Sequence, residues 1–510
     1  MTETLCPAVV LVADRTLSAD YRVLFEGIFA TMQTTKVPAV AMRSFVAPAQ
    51  RCDSQDRALA VPLGLRRLES SLLAGTGLGS NDIVCTTPER LRRLVGPWTK
   101  AVCFSSSDPL GRGMSNTTTK SFWSGELYTA RWARELLEGL SGPKRKYGFK
   151  IVAGGAGAWQ YAQDANAAQQ HGVDVIFEGY CEALAPGLIG DILAGRDVPG
   201  HLSESACQCG LVKPIAGPST MGVVELSRGC GKACAFCAMA MRPMEHLDED
   251  LILADVQANV RGGQRSIVSS SEDFFRYGSA GGKLNFDRLA GLLERMRQID
   301  GLAFMQLDHG NVTSVAQLSD EQLAQTRRLL TWQRRTEYLW VNMGVESANG
   351  KLVAANGPGK IPPYRPEDWD ELVRQTAARL THAGYFGVYS IVLGLPGETP
   401  ADVAATLALV KFLATQRAVV FPVFHEPIRP EAQARGEAFG IARMRADHLE
   451  LLRTCYENNF RQVPRLYWDN QRAGGVGWSK RTLVQLLGKT EVAGWRRNFV
   501  RLGKAIGNRQ

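Results

Sequence analysis

The sequence predicts an α/β protein with three parts: an N-terminal doubly wound, Rossmann-like domain over residues 1–184, a partial (β/α)6 barrel over 221–430, and a helical C-terminal extension over 431–510. Two series of apolar segments that alternate with amphipathic stretches predict the first two parts, because such alternation is typical of parallel sheets covered by helices. Apolar residues at helical spacing near the C-terminus predict the third part.

Five short apolar segments predict the strands of the first domain. They occupy residues 8–13, 82–87, 100–108, 149–157 and 173–179. The stretches between them carry helix signals, such as the proline that opens "PERLRRLVG" after the second segment. Ligands of doubly wound sheets bind beyond the carboxyl ends of the strands, so the loops at those ends are the candidate binding segments.

Two glycine-bearing loops follow strands of this domain: "SSSDPLGRGMSNTTTKS" (105–121) and "GGAGAW" (154–159). Glycine lets the backbone approach a bulky or phosphate-bearing ligand, although an ordinary tight turn explains the same residues. The second loop does not match G-x-G-x-x-G, so no nicotinamide site is predicted. The binding candidates here are Asp108, Gly111, Gly154, Gly155 and Gly157.

Residues 185–220 are rich in Gly, Pro and Ser, which predicts a linker with a small helix. Cys207 and Cys209 lie in it as C-x-C. Two thiols do not fill a cluster site, so we interpret them as incidental, with an auxiliary cluster as the open alternative.

Six further strand–helix units predict the barrel. Their apolar segments lie at 221–230, 265–275, 302–312, 337–347, 386–398 and 418–428. In barrels of this type the functional groups line the carboxyl ends of the strands. The chemically informative residues of this region fall at those ends.

The stretch "RGCGKACAFCAM", which begins at Arg228, places Cys230, Cys234 and Cys237 in a C-x3-C-x2-C array. Four thiolates saturate an iron–sulfur cluster or a zinc ion, whereas three leave one iron of a cubane open to another ligand. A zinc site with a remote fourth ligand and a chance grouping are the alternatives. Zinc motifs usually come as paired C-x2-C units, and no second pair is present.

The composition limits the classes of protein to which the chain can belong. The chain has 510 residues, 45% hydrophobic and 21% charged, as in ordinary globular proteins. The net charge of +9 permits an anionic partner. No apolar run of about twenty residues predicts a spanning helix, and the N-terminus does not resemble a signal peptide. Eleven scattered cysteines favour a reducing cytoplasm over a disulfide scaffold.

The cysteine motif, with an aromatic residue before its last Cys, resembles the radical S-adenosylmethionine superfamily, and the resemblance extends over 221–430. "SSSEDFF" stands where that family has a Gly-Gly-Glu-like segment, with serines in place of the glycines, and "MGVES" stands where it places ribose-binding groups. "SIVLGLPGET" resembles its fifth-strand segment, with Ser390 in place of the first Gly. The residues that the resemblance assigns to S-adenosylmethionine are Phe236, Glu272, Glu346, Ser347, Gly394, Gly397 and Glu398.

The resemblance implies a [4Fe-4S] cluster held by the three cysteines, S-adenosylmethionine on the open iron, and a 5′-deoxyadenosyl radical released after one-electron reduction. It also implies an electron donor such as a flavodoxin or ferredoxin.

A doubly wound domain before such a barrel resembles the cobalamin-dependent members of this superfamily. "SSDPLGRG", "VAGGAGAW" and "VIFEGYCEAL" are similar to the loops that surround the corrin there. The D-x-H-x-x-G motif for a lower axial histidine is absent, which implies a cobalamin without that ligand. A domain that binds no cofactor is the alternative.

Three residues near the predicted barrel mouth are catalytic candidates: His309, His425 and Tyr389. Histidine titrates near neutrality and can move a proton. A hydrogen-bonded structural histidine and a packed tyrosine are the ordinary alternatives.

The function that the resemblance implies is methyl transfer from methylcobalamin to an unactivated carbon of a small-molecule or lipid substrate. A radical cyclase or rearrangement enzyme acting on a tetrapyrrole or lipid is the alternative, and a non-enzymatic corrinoid or redox-sensing protein is a third hypothesis. The basic tail, with Trp495, Phe499 and Leu502 at helical spacing, permits peripheral membrane contact or a helix docked on the barrel. Basic and aromatic residues do not interleave over a wide surface, so no nucleic-acid partner is predicted.

Overall fold

A computed structural model of the protein describes residues 5–204, 206–237, 242–280, 282–331, 339–428, 436–473 and 475–507. The architecture is α/β with two parallel-stranded units and a helical C-terminal region, as the sequence predicts.

The N-terminal unit is a six-stranded parallel sheet. Its strands are β1 (Val9–Ala13), β2 (Ile83–Thr86), β3 (Ala101–Ser105), β4 (Lys150–Gly154), β5 (Val175–Gly179) and β6 (His201–Glu204). They lie in the order β2-β1-β3-β4-β5-β6. Its α-helices are Arg15–Ser18, Leu24–Thr31, Ala39–Ala41, Leu63–Gly75, Leu91–Leu94, Met114–Phe122, Tyr128–Tyr147, Ala158–Gln163, Ala165–Gln170 and Ala185–Leu193. The two faces of the sheet pack against two separate apolar clusters, so it is covered by helices on both sides.

The segment 185–220, predicted as a linker with a small helix, contains more structure than that. It contains the helix Ala185–Leu193 and also β6, which extends the sheet by pairing parallel to β5, with Ile176 opposite His201. β6 is an edge strand whose exposed and half-buried residues alternate. An edge strand therefore lacks the apolar run by which the inner strands were recognised.

The second unit contains six parallel strands. They are β7 (Val223–Glu225), β10 (Ser266–Ser270), β11 (Phe304–Gln306), β12 (Trp340–Glu346), β13 (Phe386–Leu393) and β14 (Ala418–Phe424). Two ladders, β11-β10-β7 and β12-β13-β14, are joined by a bridge between His309 and Asn342. The helices between and after these strands are Glu249–Arg261, Phe286–Arg297, Val312–Gln317, Asp320–Leu330, Gly350–Asn356, Trp369–His382 and Pro400–Leu413. The predicted partial barrel of six strand–helix units is confirmed.

A short antiparallel ladder closes the cysteine-bearing loop at its base. It joins β8 (Ser227–Arg228) to β9 (Glu245–His246), so the chain that leaves the first barrel strand returns beside itself after the three cysteines.

Two long helices, Ala446–Ala473 and Trp478–Gly507, form the C-terminal region. Trp495, Phe499 and Leu502 are buried in the barrel's apolar cluster, and the Trp495 ring stacks on Tyr456 at a centroid distance of 4.3 Å. The apolar face considered for membrane contact is therefore covered by the protein itself, and the docked-helix alternative is correct. No helix in the described part of the chain is long and apolar enough to span a bilayer.

The carboxyl edge of the N-terminal sheet meets the mouth of the barrel. The helix Met114–Phe122, which follows the loop after β3, packs on β14, where the Phe424 N–H donates a hydrogen bond to the Thr118 hydroxyl at 2.8 Å. Gln163, which follows the loop after β4, donates to the Ile428 carbonyl at 2.6 Å. Groups at the strand ends of both units therefore face one junction.

Buried ion pairs hold the two units together behind this junction. Arg67, on the helix Leu63–Gly75, pairs with Asp255 at 2.5 Å and with Glu225 at 3.3 Å, both of which belong to the barrel. Because breaking a buried pair leaves an uncompensated charge, these contacts disfavour separation of the units.

Candidate functional site

The backbone of the cysteine loop is fixed by its own ladder. The N–H groups of Cys230 and Gly231 both donate to the Arg242 carbonyl, at 3.1 and 2.8 Å. Gly229 has φ +70°, and a Cβ there would lie 2.7 Å from that carbonyl. Only glycine fits this close approach in the left-handed region.

The segment 356–360, "NGPGK", forms a second wall against the loop. The Ala235 N–H donates to the Asn356 carbonyl at 2.8 Å, and the Gly359 N–H donates to the Lys232 carbonyl at 3.0 Å. A Cβ on Gly357 would lie 2.9 Å from the Sγ of Cys234. The absence of a side chain at this glycine leaves room for the thiol.

The three thiols share one apolar environment. Cys234 and Phe236 are buried with Leu352, and the partly buried Cys230 and Cys237 pack against the same cluster. Burial raises the pKa of the Cys230 and Cys234 thiols, so a bound cation must offset the cost of their thiolate forms. Three sulfurs on one tight loop, ringed by apolar groups, fit an iron–sulfur cluster with one iron that lacks a protein ligand.

Lys360 supplies a buried positive charge beside these thiols, and the sequence patterns did not reveal it. Its ammonium pairs with the Glu346 carboxylate, and both side chains are less than 10% exposed. Burial opposes the charge of Lys360, but Glu346 first and then Cys234 and Cys237 outweigh burial and raise the lysine's pKa. The only sequence signal was its position at the end of a glycine-rich segment.

Glu346 adopts an unusual backbone at the end of β12. Its φ is +65°, and a Cβ on Gly344 would run into both the Glu346 carboxylate and the Lys360 ammonium. A non-glycine residue in this region is strained and persists only where the surroundings hold it. In this backbone conformation the Glu346 carboxylate contacts Lys360, next to the cysteine loop.

Arg228, at the base of the cysteine loop, is held by hydrogen bonds to two carboxylates and by an aromatic ring. Its guanidinium donates twice to Glu182 and twice to Glu225, at 2.8–2.9 Å, and lies 4.5 Å from the Tyr180 ring centroid. Glu182 and Tyr180 belong to the N-terminal unit, so this one side chain joins that unit to the start of the cysteine loop.

The two acidic residues after β10, Glu272 and Asp273, lie in different environments. Glu272 is exposed. Asp273 is buried and accepts hydrogen bonds from Ser314 at 2.5 Å and from the Asn311 N–H at 3.3 Å. Glu272 therefore keeps its carboxylate available for a ligand, as its predicted role requires.

Other predicted S-adenosylmethionine contacts are already engaged within the protein. The Ser347 hydroxyl lies 3.2 Å from the Thr406 hydroxyl, and the Glu398 carboxylate accepts from the Gly394 N–H and lies 2.8 Å from His448 Nε2. Gly394 and Gly397 have φ of +78° and +89°, so turn geometry alone requires glycine at both. Their predicted roles in binding remain predictions.

The two candidate histidines lie in different environments. Partial desolvation lowers the pKa of His309, but the Asp308 carboxylate 2.8 Å away outweighs it and raises the pKa to about 9. His309 is 47% exposed at the end of the bridge between the two ladders, so it presents an imidazolium at neutral pH. His425 is buried, its pKa is lowered by burial, and neither ring nitrogen bonds a described side chain.

Tyr389 is buried in the barrel core with its ring over Gly387. Burial raises its pKa. The structure thus places it as a packed tyrosine, which was the ordinary alternative, and its catalytic role remains a prediction.

The predicted corrin-binding loops pack closely on each other. The Asp108 carboxylate accepts from Gln160, from Asn116 and from the Arg112 N–H, and so organises the loop after β3. A Cβ on Gly155 or Gly157 would meet that same loop. A Cβ on Gly111 would lie 2.8 Å from Leu127.

Gly154 differs from these glycines. It ends β4 at the carboxyl edge, and a Cβ there would meet only the Phe177 carbonyl at 3.7 Å. Gly154 therefore borders open space at the edge that faces the barrel.

Comparison with known proteins identifies the barrel. Residues 224–410 match the sequence model of the Radical SAM superfamily, so this part of the chain is a radical SAM domain. The tRNA-2-methylthio-N(6)-dimethylallyladenosine synthase of Mycobacterium ulcerans is 25% identical over 296 residues, which cover 57% of this chain and 53% of that protein. The synthase of the same name from Mycobacterium bovis is 25% identical over 297 residues, covering 57% and 55%. The match spans about half the length of these relatives.

Solved structures share the fold over most of the chain. The radical S-adenosylmethionine methyltransferase TsrM from Kitasatospora setae, with tryptophan and a S-adenosylmethionine analogue bound, matches with a TM-score of 0.54 at 12% identity, over 82% of this chain and 75% of that one. The same enzyme with cobalamin and a [4Fe-4S] cluster bound matches with a TM-score of 0.51 at 12% identity, over 82% and 72%. The likeness shows a shared fold.

The Glu346–Lys360 pair yields a stability prediction. Lys360→Met leaves the Glu346 carboxylate buried without its partner, which should cost about 3–5 kcal/mol. The double variant Glu346→Leu/Lys360→Met replaces both charges with apolar groups and should recover most of that loss. Anaerobic denaturation of the three proteins measures this, and a single variant as stable as the parent would contradict the assignment.

The raised pKa of His309 can be observed directly. With [13C]histidine labelling, one ring resonance should titrate near pH 9, disappear in His309→Gln, and move toward the ordinary value of about 6.5 in Asp308→Asn. The Asp308 pairing stabilises the fold fully below pH 6.5 and is lost as the pH rises through 9. Titration of every histidine below pH 7.5 would refute the pairing.

Proposed function

We propose that the protein is a cobalamin-dependent radical S-adenosylmethionine enzyme that methylates an unactivated carbon of a small molecule. The observation that supports this most is the junction itself. Met114, which follows the loop after β3 of the N-terminal sheet, packs in the same apolar cluster as the three cysteines. Two cofactors, one on each unit, would therefore meet in a common space.

The residues present fit the roles that this function needs. Cys230, Cys234 and Cys237 would hold the cluster, while Glu272 and the Glu346–Lys360 pair would bind polar groups of S-adenosylmethionine. When bound, the cluster and S-adenosylmethionine supply a carbon-centred radical, and cobalamin supplies the methyl group. The apolar walls formed by Phe236 and Leu352 exclude water from the thiols.

The N-terminal unit supports a cobalamin that has no histidine on its lower face. This unit contains two histidines: His171 precedes β5, and His201 begins β6. Both therefore lie at the amino edge of the sheet, opposite the loops after β3 and β4, and the Nδ1 of His171 lies 2.9 Å from the Tyr161 hydroxyl.

A small molecule with an anionic group suits the barrel mouth. The imidazolium of His309 can bind a carboxylate by charge-assisted hydrogen bonding. His425, neutral and buried, is the group that can accept a proton from the substrate. The tryptophan found in the solved neighbour belongs to the same chemical class. The electron donor in this proposal is a flavodoxin or ferredoxin.

The experiment does not require the substrate. Protein purified and reconstituted anaerobically with hydroxocobalamin, S-adenosylmethionine carrying a deuterated methyl group, and a low-potential reductant should yield protein-bound cobalamin with the deuterated methyl, detected by mass spectrometry. Protein that retains no corrinoid, or retains it without acquiring the label, would refute the proposal.

Gly154 provides a matched pair of variants for the cobalamin site. Gly154→Leu adds bulk at the carboxyl edge, where its Cβ meets no atom closer than 3.7 Å, and should weaken corrinoid retention about tenfold or more. Gly187→Leu adds the same bulk to an exposed helical position with nothing within 4 Å, and should leave retention unchanged. Equal retention by both variants would place the corrinoid elsewhere.

The alternatives differ in the product. A methylated product gains CH2, a methylthiolated product such as that of the tRNA-modifying relatives gains CH2S, and a cyclised tetrapyrrole or lipid gains neither. A corrinoid or redox-sensing protein without turnover would not cleave S-adenosylmethionine under reduction. We favour methyl transfer because the fold shared with the methyltransferase extends over both units.

A further inference from the structure

A second group of metal-ligating side chains lies outside the cysteine loop. Cys207 and Cys209, from the segment after β6, converge with Glu245 of β9, so that one ligand atom from each lies within 4.8 Å of the others. The two sulfurs are 2.9 Å apart. The segments that carry these residues are separated by more than thirty positions, so the grouping is a product of the fold.

The surrounding protein balances the charge of this group only in part. Glu245 forms no ion pair within the described part of the chain. The guanidinium of Arg228 donates to the Cys207 sulfur at 4.0 Å, but it also donates to Glu182 and Glu225. A carboxylate held against two sulfurs is favourable when a cation lies between them.

We propose that Cys207, Cys209 and Glu245 bind a zinc ion, with water in the fourth position. Two thiolates and one carboxylate form a donor set that zinc accepts, in the tetrahedral geometry that leaves one position open. Zinc–sulfur bonds of about 2.3 Å place two ligand sulfurs about 3.8 Å apart, so the sulfurs must separate by about 1 Å. Cys207 and Cys209 are only half-buried, which leaves room for that movement.

The position of the Cys207–Cys209–Glu245 site indicates a structural role for the zinc ion. The backbone of Glu245 in β9 lies opposite that of Arg228 in β8, in the antiparallel ladder that closes the cysteine loop. The two thiols belong to the segment that joins the N-terminal sheet to the barrel. Zinc would therefore fasten this connecting segment to the base of the loop that carries Cys230, and the site is separate from the three cluster thiols.

Metal analysis of the whole protein tests this without reference to methyl transfer. Anaerobically reconstituted wild-type protein, supplied with zinc sulfate and then dialysed against a weak chelator, should retain one zinc ion per chain beside its cluster iron. Cys207→Ser/Cys209→Ser should retain none. Cys52→Ser, a half-buried cysteine elsewhere, should retain the full amount.

Two further variants distinguish the zinc site from the cluster site. Cys230→Ala/Cys234→Ala/Cys237→Ala should lose iron and keep its zinc. Glu245→Gln, which preserves the shape and leaves both cysteines in place, should weaken zinc binding about tenfold or more in competition with a chromogenic chelator. This variant keeps the test valid should the double cysteine variant fold poorly.

Three results would overturn the proposal. The first is zinc retention by the double cysteine variant, and the second is zinc loss in the triple variant. The third is wild-type protein that binds no zinc and instead forms a Cys207–Cys209 disulfide under mild oxidation, which would assign the pair to a dithiol couple.

Discussion

The buried guanidinium of Arg228 is the contact on which the rest of the arrangement depends. It bonds Glu182 of the N-terminal unit and Glu225 of the first barrel strand, and it stands two residues before Cys230. Because a buried charge must keep its partners, the position of the cysteine loop is coupled to the position of the N-terminal unit. A displacement of either unit would leave at least one of these charges uncompensated.

This coupling keeps the strand ends of the two units at one junction. The loops after β3 and β4 reach the barrel through Thr118 and Gln163, and the cysteines lie on the same side. Ligands of parallel sheets and of barrels both bind at carboxyl ends. Here those ends face each other, so groups bound at the two sets of strand ends would share one space.

Much of the fold and of the candidate site could be predicted because local sequence patterns encode it. Apolar runs identified eleven of the strands, and the spacing of Cys230, Cys234 and Cys237 singled out the loop after the first barrel strand as a candidate cluster site. The edge strand β6 escaped because it has no apolar run. Lys360 was not predicted because a single lysine forms no sequence pattern. Its role depends on a contact with Glu346 that forms only in the folded chain. The apolar face of the last helix allowed two interpretations, and its packing on Tyr456 decides between them.

A joint measurement of iron and cobalt in the anaerobically reconstituted protein and in Cys230→Ala/Cys234→Ala/Cys237→Ala tests the two-site arrangement. The variant should lose its cluster iron and its reductive cleavage of S-adenosylmethionine and should retain cobalt in the wild-type amount, because the corrinoid would lie on the other unit. A variant that keeps its iron and still cleaves S-adenosylmethionine would show that these three cysteines do not hold the cluster.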